Sequence, residues 1–138
     1  MSLPGVDGPI GPLPSHFQAE QGQLEADGVC RWSELAGLAD GDLRRLARHG
    51  ASEQRLIKLR GQARLIAAVG LAPAEAALLL YAGIASVDGL AVASPQQLLV
   101  QLGRLQRSLT GTAMPLLTAT TVRRWISLAR STTGRSPN

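Results

Sequence analysis

The side chains with the clearest chemical potential are the arginines of the last third. Arg104, Arg107, Arg123, Arg124 and Arg130 stand, with Arg135, in a stretch from residue 89 to 138 that contains no Asp or Glu. A guanidinium presents its donors in a planar fork that meets phosphate or carboxylate oxygens two at a time. Several of them without neutralising acids point to an anionic polymer, DNA or RNA, held by contacts that carry affinity but little sequence information. The rest of the chain is charged differently. Residues 1–43 hold seven acids and one base, Arg31, and residues 44–88 hold seven bases against three acids, for a net charge of +4. Three readings stay open: an anionic partner for the basic half, acidic–basic packing inside the chain that leaves room for a protein partner, or a plain solvated basic face.

Other chemistries lack their parts. His16 and His49 are the only histidines and Cys30 the only cysteine, so no metal-ligand cluster and no intrachain disulfide can form. An acid–base catalyst needs a positioned partner, and neither histidine has one in the pattern. His16 is expected on a first-turn surface and His49 at a helix end. No phosphate-binding loop, dinucleotide fingerprint or nucleophile elbow occurs. The expectation is a non-enzymatic protein with no catalytic residue, metal, cofactor or small-molecule substrate. Trp32 and Trp125 could stack on bases, yet Trp32 stands where Val87 stands 55 residues on and Trp125 falls on an apolar stripe, so both are expected in the core, as is Tyr81 with its hydroxyl at the edge. The first residues, Met1-Ser-Leu-Pro-Gly-Val-Asp, have neither a basic stretch nor a long apolar run, unlike a signal peptide. Between Arg64 and Arg104 only Glu75 and Asp88 are charged. Gly70, Pro73, Gly83 and Gly89 interrupt that segment, so buried helices are expected there rather than a membrane span. A single cysteine fits a reducing, cytoplasmic setting.

The elements that would position these residues are helices. The apolar set is mostly Leu and Ala, with aromatics at 3%, which favours an all-α fold over strands. An internal repeat organises it. Residues 28–43 match residues 83–98 at an offset of 55: Gly28 with Gly83, Val29 with Ile84, Trp32 with Val87, Leu35 with Leu90, Leu43 with Leu98. Upstream, Glu20 meets Glu75 and Leu24 meets Leu79. A run of matches at one offset marks a repeated supersecondary unit. In each unit a helix ends at a glycine able to turn left-handed, and an apolar residue folds back on it. A short helix then starts near Ser33 or is capped by Ser86, and a third starts at Asp40 or Ser94. A longer helix closes each unit. The first is capped by Ser52 and runs to about Val69 with Leu56, Leu59, Ala63 and Ile66 inward. The second follows Thr118 with Val122, Trp125, Ile126 and Ala129 inward. Thr110–Leu117 reads as a loop. The spacing predicts a compact bundle of about seven to eight short helices. It forms a single domain over residues 13–131, in two units of roughly 13–68 and 69–131. An N-terminal tail carrying the first hairpin covers 1–12, and both this tail and residues 132–138 are expected to be frayed.

Val69-Gly70-Leu71-Ala72-Pro73-Ala74-Glu75-Ala76, followed by Leu78-Leu79-Leu80-Tyr81-Ala82-Gly83-Ile84, resembles a helix-hairpin-helix motif. The stretch to Leu98 is similar to a bacterial domain family of unknown function built from tandem helix-hairpin-helix units. Ile10-Gly11-Pro12-Leu13-Pro14 looks like the matching hairpin of the first unit, with a following helix one turn longer. The resemblance implies that the backbone at Gly11, Gly70, Leu71 and Ala72 presents N–H groups to a phosphate at a helix start, where free donors and the positive helix end coincide. The second glycine of the usual hairpin is replaced by Pro12-Leu13 in one copy and by Ala72 in the other. Pro12 has no N–H to offer, and Ala72 would be strained at positive φ. Related tandem folds also serve as protein-interaction modules.

Overall fold

A computed structural model describes residues 8–110 and 118–133, with the side chains of 106–110 and 133 excepted. The expected loop after Thr110, the Arg107 side chain and Arg135 therefore lie outside the described residues. Eight α-helices follow one another: α1 (Gln18–Ala26), α2 (Trp32–Ala36), α3 (Asp40–Leu46), α4 (Glu53–Val69), α5 (Pro73–Tyr81), α6 (Val87–Ala91), α7 (Pro95–Thr110) and α8 (Ala119–Thr133). No strand occurs among the described residues; one isolated antiparallel bridge joins Pro9 to Arg31. The expected all-α bundle is the observed one.

The helix starts and stops follow local chemistry. Gly28 and Gly83 sit at φ +80° and +89°, a region where a Cβ is costly. In the first turn Asp27 N–H donates to Gln23 O, Gly28 N–H to Glu25 O and Val29 N–H to Leu24 O. In the second, Ala82 N–H donates to Leu78 O, Gly83 N–H to Leu80 O and Ile84 N–H to Leu79 O. These bonds coincide one for one at the offset of 55, and so do α1 with α5 and α2 with α6 along their whole lengths. The closing helices correspond at a different offset, 66. Ser52 Oγ accepts from Arg55 N–H (3.4 Å) and Thr118 Oγ1 from Thr121 N–H (3.1 Å). The 11 additional residues fall between the start of α7 and that of α8.

The caps between these points use opposite means. The N–H groups of Cys30 and Arg31 donate to Glu34 Oε1 (2.9 and 3.0 Å), and Ala39 N–H donates to Asp42 Oδ2 (2.9 Å). At the matching starts Ser86 Oγ accepts from Gly89 N–H (2.9 Å) and Ser94 Oγ from Gln97 N–H (3.5 Å). Each such cap is worth about 1 kcal/mol.

Packing centres on α4, which touches α2, α3, α5, α6 and α8. Leu56, Leu59, Ala63 and Ile66 are fully buried, as the spacing predicts, and Val122, Trp125, Ile126 and Ala129 of α8 are buried too. Trp32 is buried as expected. Gly61 of α4 lies against the backbone of Ala85: a Cβ there would stand 1.7 Å from the Ala85 carbonyl oxygen. Two expectations are corrected. Tyr81 is 49% exposed, because the last turn of α5 faces a cleft. Residues 8–12 are not a frayed tail: Ile10 N–H donates to Cys30 O (2.8 Å) and Trp32 N–H to Gly8 O (3.1 Å).

Candidate functional site

The arginines divide into those that hold the fold and those that do not. Arg130 belongs to the first group. Its Nε donates to Ala91 O (2.9 Å), the last carbonyl of α6. Arg64 does the same for α2, Nε donating to Ala36 O (3.0 Å). The two arginines are 66 residues apart and their acceptors 55, so both follow the offsets of their helices. Terminal carbonyls of a helix have no partner within it, and a guanidinium there also meets the negative end of the dipole. The sequence-based expectation that Arg130 contacts phosphate has this competing use.

Acidic–basic pairing accounts for much of the middle of the chain. Arg60 Nη2 lies 2.8 Å from Asp40, Arg44 Nε 3.9 Å from Glu53, and Arg55 Nη1 4.0 Å from Glu20. Arg45 forks onto Asp27, Nη1 to Oδ1 at 3.0 Å and Nη2 to Oδ2 at 3.2 Å. That hydrogen-bonded guanidinium holds the Asp27 carboxyl below its ordinary value. Arg104 on α7 and Arg123 and Arg124 on α8 are exposed and have no ion-pair partner among the described residues.

The hairpins differ from the sequence-based expectation. Gly70 ends α4 at φ +79° with its N–H on Ile66 O (3.0 Å). Ala72 is the N-cap of α5 at φ −70°, so the missing second glycine causes no strain. Its N–H donates to Glu75 Oε1 (2.9 Å), which places a carboxylate where a phosphate would bind. Leu71 is buried. Gly11 does not match Gly70 in conformation, since it is absent from the positive-φ glycines 28, 50, 70 and 83. Prolines 12 and 14 keep this stretch extended, Pro14 at φ −53°, ψ 154°. The supposed extra helical turn is a separate 3₁₀ turn, Ser15–Phe17, ahead of an α1 that is nine residues long, as α5 is.

That extended stretch forms one wall of a cleft of about 460 Å³, whose other walls are α4 and α5 with Trp32 of α2. Gln21 clamps the wall: its Oε1 accepts from Leu13 N–H and its Nε2 donates to Gly11 O, both at 3.0 Å. His16 lies over Phe17, ring centroids 4.2 Å apart. The Trp32 indole N–H is buried without a partner, an omission that costs about 1–3 kcal/mol. Sequence reasoning missed this cleft, although Arg55 and Lys58, one turn apart on a helix otherwise apolar inward, were its available signal. Among the described residues no hydrogen bond or ion pair joins the His16 or His49 side chain to another group, and no group of three His, Cys, Asp or Glu could hold a metal. No helix among the described residues is long and apolar enough to cross a membrane.

Taken as a class, this is an all-α protein with a surface cleft and, on α7 and α8, three exposed arginines without ion-pair partners among the described residues. The chain belongs to the family described as Domain of unknown function (DUF4332), which it matches over residues 14–132. Comparison with curated proteins and with solved structures finds no match.

Proposed function

We propose that the chain is a non-enzymatic binding module, a duplicated pair of helix-hairpin-helix-like units, that holds nucleic acid without sequence preference. Arg104, Arg123 and Arg124 contact phosphates, joined by Arg107 of the same α7. The observation that carries the reading is the partition of the cations. Arg44, Arg45, Arg55 and Arg60 are matched by carboxylates, while Arg104, Arg123 and Arg124, exposed on α7 and α8, have no carboxylate partner among the described residues. The Glu75 carboxylate on the hairpin argues for the arginine face, rather than the backbone of Gly70 and Ala72, as the phosphate contact. A protein partner is the second reading, favoured by Val92 at 83% and Val100 at 56% exposure, the latter one turn before Arg104.

Fluorescence anisotropy with random-sequence duplex and single-stranded DNA at two salt concentrations tests the first reading. The slope of log K against log salt for duplex should shrink by about 2–3 in the triple variant Arg104→Gln, Arg123→Gln, Arg124→Gln, one phosphate contact per residue. No binding at low salt, or binding indifferent to salt, overturns it in favour of the protein partner.

A further inference from the structure

We infer that the cleft bounded by residues 11–17, α4 and α5 is a binding site for a small organic carboxylate with a flat apolar body. Its volume of about 460 Å³ lies within the range of about 300–1,000 Å³ typical of small-molecule sites. Phe17, Trp32, Leu80 and Tyr81 supply aromatic and aliphatic wall, and Arg55 and Lys58 of α4 supply positive charge. No Asp or Glu lines the cleft. The one carboxylate near Arg55 is that of Glu20, at 4.0 Å and fully buried, and it leaves the Arg55 side chain 49% exposed. Lys58 has no ion-pair partner among the described residues. The cleft therefore combines an apolar interior with an unpaired Lys58 and an Arg55 that its long contact to Glu20 leaves half-exposed, which favours an anion that brings apolar surface with it.

Two further observations support a site rather than a chance gap. The wall at residues 8–14 is pinned by backbone bonds at Gly8 and Ile10 and by the Gln21 clamp, so binding need not order it first. Trp32, 3% exposed, lines the cleft and keeps a buried indole N–H without a hydrogen-bond partner, a donor that a ligand oxygen packed against this ring would satisfy. A cleft of this size admits no nucleic-acid duplex, so the proposal is independent of Arg104, Arg123 and Arg124 on α7 and α8, and its failure leaves that reading intact.

The experiment titrates 2-naphthoate, and separately its neutral isostere 2-naphthalenemethanol, into the isotope-labelled full chain and follows the two tryptophan indole N–H resonances. The expected result is a saturable shift of the Trp32 indole with the Trp125 indole unmoved. The neutral compound should bind at least about tenfold more weakly, a difference set by one lost charge contact. Lys58→Glu should weaken naphthoate by about tenfold or more, and Ala77→Phe, which fills the cleft, should abolish binding. Lys58 is exposed on α4, so its variant keeps the test valid if Ala77→Phe does not fold. The inference is overturned if the Trp32 indole does not move up to about 5 mM naphthoate, weaker than a ligand of this size should bind a formed site. Equal binding of the neutral compound, or indifference to Lys58→Glu, overturns it as well.

Discussion

Replacing Gly61 by Ala should unfold this protein more readily, against the usual direction of the substitution. Inside a helix Gly→Ala ordinarily stabilises by about 0.5–1 kcal/mol, because alanine loses less backbone freedom on folding. At Gly61 the new Cβ would lie 1.7 Å from the Ala85 carbonyl oxygen and 2.8 Å from its carbon. That is 1.3 Å inside the 3.0 Å that real Cβ contacts essentially never breach. Both atoms are backbone, so no side chain can swing away. Either α4 or the segment leading into α6 must shift, and α4 is the helix on which α2, α3, α5 and α8 also rest. Overpacking of this kind costs about 1–3 kcal/mol and more when backbone moves. After the propensity gain is deducted, a net loss of about 2 kcal/mol remains. That corresponds to a fall in Tm of about 6–10 °C for a chain of this length. Urea unfolding followed by far-ultraviolet circular dichroism measures it, with an unchanged m-value. Gly22→Ala and Gly41→Ala are the controls: both glycines are helical and a Cβ at either meets nothing within 4 Å. They should be neutral or stabilising. A Gly61→Ala protein as stable as the parent would refute the close approach of α4 to Ala85 and the packing argument built on it.

Two other outcomes follow from the buried and exposed acids. Glu20 is fully buried in α1 and its Oε2 accepts from Ser52 N–H (2.7 Å), at the first residue before α4. Glu20→Ala strands that donor and should cost about 2–3 kcal/mol in urea unfolding, while Glu20→Gln, which keeps an acceptor oxygen, should cost less; equal losses for the two would sink the capping role. Asp27 is held below its ordinary value of 3.8 by the Arg45 fork. A lowered folded value means stability that is present above 3.8 and lost as pH falls through the folded value. Asp27→Asn should therefore be less stable than the parent at neutral pH, with the gap closing in acid and in high salt. A gap that widens on acidification is the contrary result.

The parts of the fold legible in sequence were those fixed by residue type at a single position. Gly28 and Gly83 mark the two left-handed turns because few other residues fit φ near +80° to +89°, and Ser52 and Ser86 mark helix starts because a hydroxyl must be there to cap. The correspondence of α4 with α8 was not legible as an offset. The 11 added residues break the register, and the matched side chains differ in type, Leu56 against Val122 and Leu59 against Trp125. The first hairpin was misread because Gly11 invites a turn, whereas the flanking Pro12 and Pro14 hold the chain extended. Arg130 looked free because its acceptor is a backbone carbonyl 39 residues away, and backbone leaves no trace in composition. The cleft was hidden for a related reason: its walls come from residues 11–17, Trp32, α4 and α5, and apart from Arg55 and Lys58 none of them carries a signal of its own.

The two ways of closing helix starts bear on how this molecule came to be so unevenly charged. Glu34 and Asp42 reach back to the N–H groups that precede them, and at the corresponding places Ser86 and Ser94 reach forward with a neutral oxygen. Exchanging one device for the other removes two carboxylates from half the molecule while each helix still begins at the matching residue. Part of the acidity at the front is thus committed to scaffolding, whereas α6 and α7 begin without a carboxylate cap. Surface potential in such a protein is free to drift towards whatever its rear face meets.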